Sequence, residues 1–127
     1  MPALDRLPGV RVVADPASLE RATWRGDDVT VLRFAPDDAF GVGATAVDID
    51  DEHAIVEDEV GFVGAWLDPD EVEPHLEWPL PTERPALAQG SIAGVPAKLW
   101  LSGDGKALLL TAAAYRDELT RRLGSRR

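Results

Sequence analysis

The sequence predicts an α+β fold, a mostly antiparallel sheet packed against two main helices in a single domain over residues 1–127. Three observations predict it. Short runs rich in β-branched residues alternate with Gly, Pro and Asp clusters, the pattern of strands and turns. Two segments, one following Asp68-Pro69 and one over residues 112–123, combine a helix start with an apolar stripe. Gly103-Asp104-Gly105 then joins two neighbouring apolar runs as a tight hairpin would.

Taken in order, residues 1–9 carry two prolines and no period, and read as an arm or first loop. Asp15-Pro16 offers an N-cap and a proline at the first helical position, so residues 17–23 form a short helix. Trp24-Arg25-Gly26-Asp27-Asp28 reads as the turn that ends it, residues 29–34 as a strand, and Ala35-Pro36-Asp37-Asp38 as the next turn. Residues 39–43 read as loop. Residues 44–49 and 54–56 are short strands flanking the acidic Asp50-Asp51-Glu52-His53, which suggests a hairpin. Residues 60–67 are apolar on both parities and fit a strand covered on two sides.

Asp68-Pro69-Asp70-Glu71 is the clearest helix start, with an acidic first turn at the positive end of the dipole. Pro74 keeps that helix short, because an interior proline costs about 3 kcal/mol. Trp78-Pro79-Leu80-Pro81 is extended. Residues 87–92 and 97–101 are strands around Ala93-Gly94-Val95-Pro96, and residues 106–110 follow the Gly-Asp-Gly hairpin. Thr111 is placed to cap a closing helix over 112–123, with Ala112, Tyr115, Leu119 and Leu123 on one stripe. Asp117 with Arg121 and Glu118 with Arg122 have the favourable i,i+4 orientation, and Gly124 is the stop.

Composition narrows function by exclusion. Cys is absent, which removes disulfides, thiolate nucleophiles and Cys-ligated metals. The formal charge of −10 repels phosphate, so nucleic acid is not an expected partner. The apolar run over residues 60–67 is far short of the roughly 18 residues of a membrane span, and residues 1–28 lack the core of a signal peptide. A cytoplasmic protein is expected. Asn is absent and Arg outnumbers Lys 11 to 2, a usage suited to a GC-rich coding sequence or a salt-adapted cytoplasm. Acidity then serves solubility; the alternative is an acidic face that recruits a basic partner.

Asp48, Asp50, Asp51, Glu52, Glu57, Asp58 and Glu59 form an acidic patch around His53. Counted from Asp48, a calcium loop needs Gly at its sixth position, where His53 stands, so no metal is expected and the patch reads as a solvated hairpin tip. His53 and His75 have no nucleophile pattern nearby, and Ser91 lacks a G-x-S-x-G elbow. Residues 41–46 match a glycine-rich dinucleotide fingerprint in letters only, because the segment after them is β-like rather than helical. Trp66 and Trp100, inside strands, read as core. Trp24 and Trp78, at segment ends, either close the core edge or anchor an interface. Gln89, the only Gln, either locks the sheet or contacts something bound, and Gly90 beside it shares that surface.

The run Leu87-Ala88-Gln89-Gly90-Ser91-Ile92-Ala93-Gly94-Val95-Pro96-Ala97-Lys98-Leu99-Trp100-Leu101, followed by Asp104-Gly105-Lys106 and a helix carrying Tyr115 and Leu119, resembles the C-terminal half of sarcosine oxidase gamma subunits, over about residues 60–123. That family is similar in fold to the folate-dependent aminomethyltransferases. The resemblance implies a non-catalytic accessory subunit of one-carbon or amine-oxidising metabolism. It implies a protein partner such as a flavoenzyme or folate enzyme, no catalytic residue, and folate as the one cofactor to consider. Trp78, Gln89, Gly90 and Trp100 would lie near its contact surface. Two other classes stay open: a stand-alone folate-like binder, and an acidic inhibitor of a basic enzyme acting through residues 48–59. The sequence sets neither the partner nor the oligomeric state.

Overall fold

The computed structural model describes residues 3–124. In chain order the elements are β1 (Asp5–Arg6), β2 (Gly9–Val13), α1 (Pro16–Arg21), β3 (Thr23–Ala35), β4 (Asp38–Asp48), β5 (Ile55–Glu59), β6 (Phe62–Leu67), α2 (Pro69–Val72), β7 (Ala86–Ile92), β8 (Val95–Leu101), β9 (Ala107–Ala112) and α3 (Arg116–Gly124). The class is α+β and every strand pair is antiparallel. The strands form two sheets where one was expected, of order β1-β6-β9-β8-β7 and β3-β4-β2-β5. The chain divides accordingly into two compact units, residues 7–61 and the remainder. Among the described residues, no helix is long and apolar enough to cross a membrane.

In the unit of residues 7–61, Asp15 accepts from the amides of Ala17 and Ser18 at 3.1 and 3.3 Å, and Pro16 opens α1 as the capping signals predict. The helix stops at Arg21, because Thr23 already pairs with Asp48. The expected turn at 24–28 lies inside β3. Its Gly and Asp residues make a bulge, with Gly26 and Asp28 at positive φ and residues 27–29 standing opposite Gly43 alone. The expected loop at 39–43 is also strand. Gly41 is there because the Trp24 ring lies on it: a Cβ would sit 2.7 Å from Trp24 Cζ3.

Pro36-Asp37 makes the two-residue turn between β3 and β4. The acidic connection over residues 50–54 is not a hairpin tip, since β4 and β5 pair on opposite sides of β2 and the connection passes that strand's end. Val10, Val12, Leu19 and Ala39 form the buried cluster. Arg11 carries the charge network of this sheet. Its Nε and Nη2 donate to both oxygens of Asp38 at 2.7 Å, Nη1 donates to Glu59 at 3.0 Å, and the guanidinium lies 4.8 Å from the centre of the Phe34 ring.

In the other unit, residues 5–6 belong to β1, which pairs with β6, and Leu4 is buried, so the described part of the expected arm is held in the fold. Val63, Ala65 and Leu67 of β6 share one face with Leu99, Leu101 and Leu109, and that face is closed by Val72, Leu119 and Leu123. α2 is only four residues, and Pro74 sits in the 3-10 turn Glu73–His75 that follows, the outcome its missing N–H requires. β7 and β8 are joined by two residues, Ala93-Gly94, both at positive φ as a tight hairpin needs, so Val95 and Pro96 are strand rather than turn.

Thr111 does not cap the last helix. It is the buried penultimate residue of β9, and its hydroxyl donates to the Pro96 carbonyl at 2.7 Å. The chain passes through a 3-10 turn, Ala113–Tyr115, before α3 begins. Leu119 and Leu123 are buried as the stripe predicts, but Tyr115, in that turn, is exposed. Glu118 and Arg122 form their i,i+4 pair at 2.5 Å, and Arg122 also donates to Ala93 O at 2.9 Å, tying α3 to the β7–β8 turn.

Candidate functional site

β6 ends in Trp66 and Leu67, and Asp68 opens α2 one residue later. The β8–β9 turn reaches the same place, because β6 and β9 pair from Phe62↔Ala112 to Leu67↔Ala107. These segments enclose an open groove of about 390 Å³ lined by Trp66, Leu67, Asp68, Glu71, Asp104 and Lys106. Trp66 is its apolar wall. The residue is 46% exposed. Trp66 was expected in the core; it stands on the face opposite Leu67 and Ala65, near the end of the strand, and is exposed.

The polar wall is organised by short-range bonds. Lys106 Nζ donates to Asp68 Oδ1 at 2.9 Å, and that carboxylate raises the lysine pKa above its ordinary value. Asp104 Oδ1 accepts from the Ser102 hydroxyl and from the Lys106 amide at 3.0 Å, which together hold its pKa below the usual aspartate range. Glu71 Oε1 accepts from the Asp68 amide at 3.1 Å, the reciprocal half of a capping box. Three carboxylates thus face one ammonium in a solvated site.

The residues singled out from sequence fall elsewhere. Trp78 and Gly90 do come together: the indole N–H donates to Ser91 O at 3.0 Å, and Nε1 would lie 3.2 Å from a Cβ at Gly90. The ring packs against the core cluster of its unit. Gln89 is exposed and pairs across the strands with Lys98, whose Nζ donates to Oε1 at 2.6 Å. Trp100 is half-buried and stands in register with Leu108, itself in register with Trp66, across β8, β9 and β6. Trp24 is half-buried over Gly41.

The seven acidic residues do not gather at one point. Asp48 pairs with Arg25 and Glu59 with Arg11, while Asp51 accepts from the amides of Asp15 and His53, both at 2.9 Å. The Asp15 amide, and then that of His53, lower the Asp51 pKa. Asp50 accepts the Ser18 hydroxyl on its carbonyl, and Glu52, Glu57 and Asp58 are exposed. Among the described residues no three His, Asp or Glu are grouped to hold a metal ion. Residues 41–46, the fingerprint look-alike, lie within β4, and no helix follows them.

The chain matches no family model and no curated protein. Among solved structures it is similar to a chain of the heterotetrameric sarcosine oxidase from Corynebacterium sp. U-96, determined in complex with pyrrole 2-carboxylate. The TM-score is 0.67 and the identity 13%, over 94% of this chain and 79% of that chain. What the two share is a fold. The likeness extends across the first half of the chain, where sequence resemblance stopped.

Proposed function

We propose that this chain is a non-catalytic accessory or scaffold subunit, resembling the sarcosine oxidase gamma chain, of a heteromeric enzyme in amine-oxidising or one-carbon metabolism. The observation that carries the reading is the fold similarity to a chain of a heterotetrameric sarcosine oxidase over 94% of the present chain. The character of the groove supports it. Its ionisable groups are solvated and held by neighbouring amides and side chains, which suits recognition of a partner better than chemistry. The reading assigns the chain no cofactor of its own; folate enters through the family resemblance alone.

Co-expression with the flavoprotein subunits of an amine oxidase from the same genome tests it. The expected result is a stable complex containing this chain at fixed stoichiometry. Elution of the 13.7 kDa chain by itself, with no flavoenzyme or folate enzyme recovered on it, would refute the reading.

A further inference from the structure

We propose that the Trp66 groove is a docking site for an arginine side chain of a partner protein. The inference names the partner chemistry for the accessory-subunit reading and rests on that reading only for the partner being a protein. Trp66 gives the groove a half-exposed aromatic side chain. A large amphipathic ring left partly exposed is the kind of residue on which interface energy concentrates.

Charge selects the occupant. Asp68, Glu71 and Asp104 outnumber Lys106 in the groove, and Lys106 is committed to Asp68. The bonds to Asp104 from Ser102 and Lys106 both reach Oδ1, and the Asp68 amide reaches Oε1 of Glu71, so each carboxylate keeps a second oxygen for an incoming donor. Those internal bonds also fix the carboxylates in advance, which lowers the ordering cost of binding.

A guanidinium suits these walls better than an ammonium, because its plane stacks on an indole while its several edge N–H groups can reach the remaining oxygens of Glu71 and Asp104 together. The groove is open, and a small free ligand would lack the enclosure that such ligands need. A side chain delivered on a folded partner needs none. The net charge of −10 steers a basic surface toward this chain.

The probe is N-acetyl-arginine amide, titrated into the 15N-labelled chain. Saturable shifts are expected at the Trp66 indole N–H and the amides of residues 104 and 106, with weaker binding of N-acetyl-lysine amide. Trp66→Ala abolishes the response at the two amides, and the double variant Glu71→Gln, Asp104→Asn weakens binding about tenfold or more. All three residues are exposed, and an unchanged amide fingerprint elsewhere shows that the variants fold.

In the assembled complex, Trp66→Ala raises the dissociation constant about tenfold or more. No shifts with the arginine probe overturn the proposal. Shifts together with unchanged assembly of Trp66→Ala also overturn it, leaving a cation-binding groove that no partner uses. If the wild-type chain forms no complex, the accessory-subunit reading fails separately, and the probe alone decides whether the groove recognises arginine.

Discussion

Replacing Trp78 and Trp66 in turn separates a fastening indole from a presented one. The Trp78 ring packs against the core cluster, covers Gly90, and donates to Ser91 O at 3.0 Å. Trp78→Phe keeps most of the apolar area and removes the hydrogen bond, so it is expected to cost about 1 kcal/mol. Trp78→Ala removes both. Full burial would place that loss at 3–5 kcal/mol, and the half-buried ring brings it to about 3 kcal/mol. Trp66→Ala removes a side chain of a residue that is 46% exposed, and is expected to cost less, about 1–2 kcal/mol.

The assay is urea unfolding followed by far-UV circular dichroism, which does not depend on the deleted fluorophore. Trp78→Ala should lower the midpoint with little change of slope. A Trp78→Ala protein within about 0.5 kcal/mol of wild type would refute the fastening role. A Trp66→Ala loss above about 2 kcal/mol would refute the claim that this ring is left over for something else.

Further expectations concern the other sheet and the exposed carboxylates. A Cβ at Gly9 would overlap the Gly41 carbonyl and approach Phe40 Cε1 at 2.7 Å, so Gly9→Ala is expected to cost at least about 1–3 kcal/mol, measured in the same urea assay. Gly41→Ala collides with the Trp24 ring instead, so a Gly41→Ala, Trp24→Ala double variant should be less destabilised than the sum of its parts, read as a double-mutant cycle.

Arg11→Met removes three charge-assisted bonds and leaves Asp38 and Glu59 without their shared cation; a loss of about 2 kcal/mol at neutral pH is expected from thermal unfolding. Asp51 and Asp104 are held below the ordinary aspartate value, so their contribution is complete above that value and is lost as pH falls through the lowered one. Lys106 runs the other way, its contribution being lost as pH rises through its elevated value. Asp51→Asn should therefore reduce the acid-limb slope of stability against pH, and Asp68→Asn should reduce the alkaline one.

Where a residue's own stereochemistry decides the structure, the sequence was readable. Asp15-Pro16 capped α1, Pro36-Asp37 turned the chain between β3 and β4, Pro74 cut α2 short, and Gly103-Asp104-Gly105 made the β8–β9 turn. Local signals misled where a partner strand overrode them. Gly26 and Asp28 carry turn chemistry but serve as a bulge in β3, and Gly41 looks like loop but makes room for Trp24. Thr111 has a capping side chain, yet the Pro96 carbonyl across the sheet takes its hydroxyl.

Strand order was not legible at all. Nothing local says that β2 inserts between β4 and β5, which is why the acidic connection looked like a hairpin. The groove was hidden for the same reason, since Trp66 and Lys106 are neighbours only through the pairing of β6 with β9. One signal could have pointed to it: Trp66 lies two residues before the helix cap Asp68, and residues there sit near the end of a strand.

Strand β1 carries a consequence for how this chain is built. Arg6 leaves the five-stranded sheet opposite Val63, and the polypeptide returns at Phe62 alongside it, so residues 7–61 occupy the position of a loop between two adjacent strands. Closing so long an excursion costs only about 2–3 kcal/mol more in chain entropy than closing a short turn. A folded module can therefore ride within a hairpin at modest expense, and a graft joining Arg6 to Phe62 through a few residues would leave every strand of the host sheet with the neighbours it has now. In chain order, the four-stranded sheet is inserted between two neighbouring strands of the five-stranded one.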